Sequence, residues 1–155
     1  MNIKKIKSIV LIFLPLILGS IVGFLIKDYT GQYEALNKPF LSPPSNLFSI
    51  AWPIFYLLMG ISAYFIGKSN HSLKNKAMFV YYVQLLTNLL WSFIFFICKN
   101  YLFASIWLVL LILLVIVMIK LFFEIDKKAA YLQFPYLLWL LFAGYLSFGI
   151  FVLNG

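Results

Sequence analysis

Polar side chains inside long apolar runs are where this sequence concentrates its chemistry, because hydrocarbon cannot hydrate them and each must find a partner. Asn88, Trp91, Ser92 and Phe95 follow the spacing i, i+3, i+4, i+7, and Gln84 lies one turn earlier on the same helical face. Trp52, Phe55, Tyr56 and Met59 repeat that spacing. Tyr136, Trp139 and Ala143 form a third stripe, with Phe142 beside it. A cavity walled by such faces suits a flat, apolar, conjugated ligand, with a few amide and hydroxyl groups to fix its orientation. The same stripes also read as helix packing, and Gln84, Asn88 and Ser92 as interhelical hydrogen bonds worth about 0.6 kcal/mol on average.

Other chemistry lacks its residues. One histidine (His71) and one cysteine (Cys98) leave no metal-ligand constellation and no internal disulfide. The four acids, Asp28, Glu34, Glu124 and Asp126, stand outside the apolar runs, so no buried carboxylate is at hand for ion or proton coupling. Nothing pairs a nucleophile with a base for hydrolysis, and no cofactor is required.

The elements that must position these residues follow from composition. Apolar residues make up 65% of the 155-residue chain, aromatics 20% and charged residues 10%, with a mean hydropathy of +1.03. Soluble domains carry about a quarter charged residues; this chain cannot clothe itself in water and is read as an integral membrane protein. Five runs, about 9–26, 47–66, 77–98, 101–123 and 129–153, each reach the roughly 20 residues a helix needs to cross a bilayer. None alternates as barrel strands do. The fold class is therefore an all-α bundle of five transmembrane helices, forming a single domain over 1–155. Ser45 or Asn46 is placed to cap the second helix, Pro53 to bend it, and Lys99-Asn100 to make a tight hairpin between the third and fourth. The first run is too long for a signal peptide and Gly19-Ser20-Ile21 makes a poor cleavage site, so it reads as a retained helix.

The net charge of +8 comes from twelve lysines and four acids. The lysines sit in the gaps between apolar runs and there is no arginine fork, which argues against a nucleic-acid partner. Their meaning is topology. Nine (Lys4, Lys5, Lys7, Lys68, Lys74, Lys76, Lys120, Lys127 and Lys128) fall on the side of the amino terminus, and three (Lys27, Lys38 and Lys99) on the other. The positive-inside bias puts the amino terminus in the cytoplasm of a bacterial cell and the first loop outside. Gly19 and Gly23 make a GxxxG pair that permits close packing within the chain or in a homodimer.

The first loop, 27–46, carries a motif. It reads Gln32-Tyr33-Glu34-Ala35-Leu36-Asn37-Lys38-Pro39-Phe40-Leu41-Ser42-Pro43-Pro44, followed by Phe48 and Trp52. Further on come Leu57-Leu58-Met59-Gly60-Ile61, then Asn88-x-x-Trp91-Ser92 with Phe95 and Phe96, then Pro135-Tyr136-Leu137-Leu138-Trp139 and Phe142-Ala143. In order and spacing the chain resembles the translocator protein family, also called tryptophan-rich sensory proteins or peripheral benzodiazepine receptors (TspO/MBR). That resemblance implies five helices with the first loop as a lid over a pocket, and porphyrins such as protoporphyrin IX and haem, or related hydrophobic molecules, as ligands. Carried over, the pocket residues are Tyr33, Pro43 and Pro44 from the lid, Trp52 and Phe55, Asn88 and Ser92, and Trp139, Phe142 and Ala143. Porphyrin is expected between Trp52 and Trp139, with Asn88 at its polar edge and Lys38 as the nearest cation to its propionates. Trp107 is expected to matter little.

Two departures stand out. Gln32 replaces the family's loop tryptophan, and Tyr145 is followed by no basic residue, so the animal members' cholesterol motif is absent. Three classes of function remain: a sensor or receptor regulating tetrapyrrole metabolism or a stress response, a porphyrin or sterol transporter, and a protein degrading protoporphyrin IX in light. The last would use oxygen and would cast Trp52 and Trp139 as catalytic candidates.

Overall fold

The computed structural model describes residues 2–155. Helix α1 (Ile3–Ile26) runs into a single 3-10 turn, Lys27–Tyr29, and the loop then forms a short helix α2 (Gln32–Ala35). Helices α3 (Ser45–Gly67) and α4 (Lys74–Ser92) follow, and α4 continues as a π-helical turn, Phe93–Ile97. Helix α5 is Tyr101–Ile125, α6 Lys127–Tyr131 and α7 Phe134–Asn154. Among the described residues there is no strand, and five helical segments are long and apolar enough to cross a membrane.

The sequence places the spans well and their ends less well, for local reasons. Helix α1 begins at Ile3 rather than near Ile9 because Asn2 Oδ1 accepts from the Lys4 amide, and lysines tolerate the first turns by reaching toward headgroups. Neither Ser45 nor Asn46 caps α3 with its side chain. Glu34 does so from the loop: its Oε1 accepts from the Ser45 amide at 3.1 Å, satisfying one of the orphan donors of the first turn. The fifth run is interrupted. Asp126 caps α6 through the Lys128 amide at 2.8 Å, and the chain breaks at Leu132–Gln133 before α7 resumes with a proline in its first turn. Gln133 is fully buried at the break. Its Nε2 donates to Ser62 Oγ at 2.8 Å, and Ser62 donates to the Ala129 carbonyl at 2.6 Å, which ties the break to α3.

Helix α1 lies along α3 at close range. A Cβ on Gly60 would run into the backbone carbonyl of Ile12, and one on Gly19 into the Tyr56 ring. Close approach thus uses glycines on both helices, and Gly19 serves packing within the chain. Gly23 has no neighbour within 4 Å of where its Cβ would be. The core lies among α3, α4, α5 and α7, where Met59, Leu111, Met118, Phe122 and Leu140 are buried. Trp107 Nε1 donates to the Thr87 carbonyl at 2.8 Å, so this tryptophan joins α5 to α4 rather than being a free surface ring.

Candidate functional site

A cavity of about 400 Å³ opens between α1, α3, α4 and α7 beneath the first loop. Helix α1 contributes Leu16, Gly19, Ser20 and Gly23 to its wall, and Lys27 and Thr30 stand at its end. Helix α3 presents Phe48, Ser49, Trp52 and Tyr56. Trp91, Ser92, Phe95 and Phe96 come from α4 and its π turn, and Ala143, Leu146, Ser147 and Ile150 from α7. A π turn adds one residue to a helical turn and shifts the register of the residues after it. Here the Cys98 amide donates to the Phe93 carbonyl at 3.0 Å, five residues back, and the turn places Phe95 and Phe96 together on the wall.

Four of the residues expected from the sequence, Tyr33, Trp52, Ser92 and Ala143, line this cavity. Asn88 stands behind the wall, 2% exposed. Its Oδ1 accepts from Tyr56 Oη at 2.9 Å and its Nδ2 donates to Tyr136 Oη at 2.8 Å. Tyr136 donates in turn to Gln84 Oε1 at 3.0 Å. Tyr56, Asn88, Tyr136 and Gln84 therefore form one hydrogen-bonded chain across α3, α4 and α7. In it Asn88 has both ends of its amide engaged by protein, so it holds Tyr56, whose ring is on the wall.

Phe55, Trp139 and Phe142 pack behind Trp52 and are not on the cavity wall. The expected slot between the two tryptophans is closed. Trp52 and Trp139 meet edge to face, with centroids 6.4 Å apart and planes at 87°. A macrocycle between them would need parallel faces about 7 Å apart, twice the contact distance of about 3.5 Å between carbons. Trp52 instead stacks on Tyr56 (5.6 Å, 27°) and Trp91 on Phe95 (5.0 Å, 28°), making two aromatic walls. Trp91 and Trp139 have buried indole N–H groups with no protein acceptor.

The lid is built and tied down residue by residue. Tyr33 is 3% exposed, edge-on to Phe48 at 5.3 Å, and its hydroxyl donates to the Pro43 carbonyl at 3.0 Å. Burial raises its pKa above the usual tyrosine value. Pro43 and Pro44 thus act behind Tyr33 and at the start of α3, outside the cavity lining. Gln32 donates from Nε2 to the Phe96 carbonyl, which pins α2 to the end of α4. Farther along, the Asn37 amide donates to Asn154 Oδ1 (3.0 Å) and Asn154 Nδ2 to the Asn37 carbonyl (2.8 Å). Tyr145 Oη donates to the Phe40 carbonyl at 2.6 Å, and Pro39 fills the space that a side chain at Gly149 would take.

Lys38, the expected cation, is committed elsewhere. Its Nζ lies 2.9 Å from Glu34 Oε2 and 4.7 Å from the Tyr33 ring centre. That ion pair and the bond from the Ser45 amide lower the Glu34 pKa to about 2. The sequence reading missed the whole α1 side of the site and the α7 residues beyond Ala143. Its signals were present: Gly19, Ser20 and Gly23 are small residues that leave room, and Ala143, Leu146, Ser147 and Ile150 follow i, i+3, i+4, i+7.

Comparison with known proteins agrees with this architecture. The model of the TspO/MBR family matches residues 11–153. The tryptophan-rich protein TspO of Archaeoglobus fulgidus is 34% identical over 99% of both chains, and that of Bacillus cereus is 30% identical over 99% of this chain and 100% of its own. The translocator protein of Bos taurus is 31% identical over 85% of this chain and 83% of its own. With five apolar spans, a lidded aromatic cavity and similarity along nearly its whole length, the chain belongs to the TspO/MBR family of integral membrane proteins.

Proposed function

We propose that this protein is a membrane receptor or sensor that binds tetrapyrroles, such as protoporphyrin IX or haem, and related flat hydrophobic molecules. In this role it regulates tetrapyrrole metabolism or a stress response. The observation that carries the reading is the cavity: about 400 Å³ of space inside apolar helices, walled by Trp52, Tyr56, Trp91 and Phe95. Such a volume falls in the range of about 300–1,000 Å³ typical of small-molecule sites, and aromatic faces with sparse polar groups suit a conjugated macrocycle. The ligand lies along the Trp52 and Trp91 walls, with Tyr33 as roof. The name "tryptophan-rich sensory protein" borne by a Cereibacter sphaeroides relative, 34% identical over 79% of this chain, supports the sensing role.

A second reading, oxygen-dependent photodegradation of protoporphyrin IX, is favoured by Trp52 on the wall, where an excited macrocycle would touch an oxidisable indole. Trp139 would act only through Trp52. The test is absorbance of protoporphyrin IX with the purified protein over time, in light, in the dark and without oxygen. Stable, saturable binding under all three conditions fits a sensor. Bleaching that needs both light and oxygen, and is lost in Trp52→Phe, assigns the photochemical role. Failure of protoporphyrin IX to quench tryptophan fluorescence would remove both.

The nine-to-three lysine asymmetry supports an amino terminus in the cytoplasm of a bacterial cell. In a Cys98→Ser background, Phe40→Cys (82% exposed in the wild type) should react with an impermeant maleimide on intact cells and Asn75→Cys should not. The reverse pattern overturns the orientation.

A further inference from the structure

We propose that Lys27 is the residue that recognises the acid group of the ligand, and that the cavity selects an anionic amphiphile: a flat or elongated apolar body carrying one carboxylate at the α1–α3 mouth. Among the described residues, Lys27 is the one charged residue on the cavity wall. The exposed wall residues Ser20, Gly23 and Lys27 belong to the end of α1, and Ser49 and Pro53 to α3, so the open side of the cavity follows the seam of these helices. Lys27 is exposed there, directly after the last residue of α1. Its ammonium has no carboxylate partner among the described residues and rests 4.3 Å from the Phe24 ring centre.

The neighbouring groups leave the role of cation to Lys27. Ser20 and Thr30 donate their hydroxyl protons to the Leu16 and Lys27 carbonyls, at 2.7 and 2.9 Å, and so present lone pairs to the mouth. Lys38 is held by Glu34. No carboxylate lies on the wall to compete for the ammonium. An acid group carried into hydrocarbon is costly, whereas one held at the mouth keeps part of its water and gains a charge-assisted hydrogen bond. Ligand orientation follows: acid end at Lys27, apolar body inward along Trp52 and Trp91. A lysine at a helix end also has a plain role as an interfacial anchor; an anchor would not distinguish an acid from its ester.

The inference deepens the tetrapyrrole reading, and a second ligand pair keeps the two separable. Quenching of tryptophan fluorescence is titrated in neutral detergent with protoporphyrin IX and its dimethyl ester, and with 9,10-dibromostearic acid and its methyl ester, whose bromines quench indole. The proteins are the parent, Lys27→Gln and, as control, Lys38→Gln. The expected result is an acid-over-ester preference of about 3- to 10-fold in the parent, lost in Lys27→Gln with ester affinity unchanged, and kept in Lys38→Gln. Unchanged ester affinity also shows that the variant is folded. If the porphyrin pair fails to bind but the fatty-acid pair shows this pattern, the tetrapyrrole reading falls and the Lys27 assignment stands. No acid preference in either pair, a preference that survives in Lys27→Gln, a preference lost only in Lys38→Gln, or no binding of either pair overturns it.

Discussion

At the scale of single residues, Asn88 shows how an intramembrane amide acts without touching a ligand. It joins Tyr56 of α3 to Tyr136 of α7, and its loss leaves the Tyr56 hydroxyl without its acceptor and the Tyr136 hydroxyl without its donor, while Tyr136 keeps its bond to Gln84. Interhelical bonds of this kind average about 0.6 kcal/mol, with a maximum near 1.7, so Asn88→Ala should destabilise by about 1–3 kcal/mol, read as a lower Tm in detergent. Tyr136→Phe, which keeps the ring, should cost less. Direct ligand contact is tested at the wall. Trp52→Leu should weaken protoporphyrin IX binding by about 1–3 kcal/mol, roughly 5- to 150-fold. Ala143→Phe should abolish it by filling the cavity. Trp107→Phe should leave binding intact yet lower Tm, because its indole N–H holds the Thr87 carbonyl.

Between elements, two contacts decide the geometry: α1 on α3, and the lid on α3, the end of α4 and α7. Gly60→Ala drives a methyl into the Ile12 carbonyl and must push α1 off α3, whereas Gly23→Ala meets open space. Backbone cannot yield as a side-chain tip can, so the first should cost several kcal/mol, in the manner of an overpacked core, and the second almost nothing; Tm of the two variants checks this. On the lid, Glu34 bonds both Lys38 and the α3 terminus. Its pKa is lowered to about 2 from an ordinary 4.5. A depressed folded pKa means that the stabilisation is fully present above pH 4.5 and is lost as pH falls from there toward 2. The Tm gap between the parent and Glu34→Gln should therefore be constant from pH 8 to 5 and close below pH 4.5. Asn154→Ala removes both bonds that strap Asn37 to α7 and should speed ligand release in stopped-flow quenching.

Across the whole molecule, the amides and hydroxyls of the Tyr56–Asn88–Tyr136–Gln84 chain are paired, the buried Trp91 and Trp139 indole N–H groups are not, and the lysines gather where the spans end. Leu138, Phe148, Ile54 and Leu113 are exposed, as lipid contact requires of a bundle without a water-facing surface. Helix α1 buries just Pro15 and Ile26 along its length. It nonetheless lies against α3 through the close approach of the Ile12 backbone to Gly60, and its end forms one side of the cavity mouth. Holding it should matter for ligand exchange. Cysteines at Gly23 and Ser49, bridged across the mouth in a Cys98→Ser background by a bifunctional methanethiosulfonate, should slow association of protoporphyrin IX at least several-fold, and reduction should restore it.

Sequence alone established the solvent, the number of spans and the polar residues that had to find partners. Length, hydropathy and the rule that no donor can remain unpaired in hydrocarbon are local facts, legible from one residue and its near neighbours. The stripes on the second, third and fifth runs were legible for the same reason, since helical spacing alone puts Asn88 and Ser92 on one face. Packing in three dimensions decides which member of a stripe meets empty space and which meets another helix. Spacing gives Trp52 and Trp139 equal standing, but Trp139 sits one turn before Ala143 on the same α7 face and meets Trp52 edge-on, so the α7 part of the wall starts at Ala143 and continues through Leu146 and Ser147. The caps moved for a similar reason: Glu34, eleven residues before Ser45, caps α3 because the loop folds back as α2. A cavity is a property of several helices at once. Its α1 side includes Gly19, Ser20 and Gly23, whose lack of bulk leaves no mark in hydropathy or in an apolar stripe.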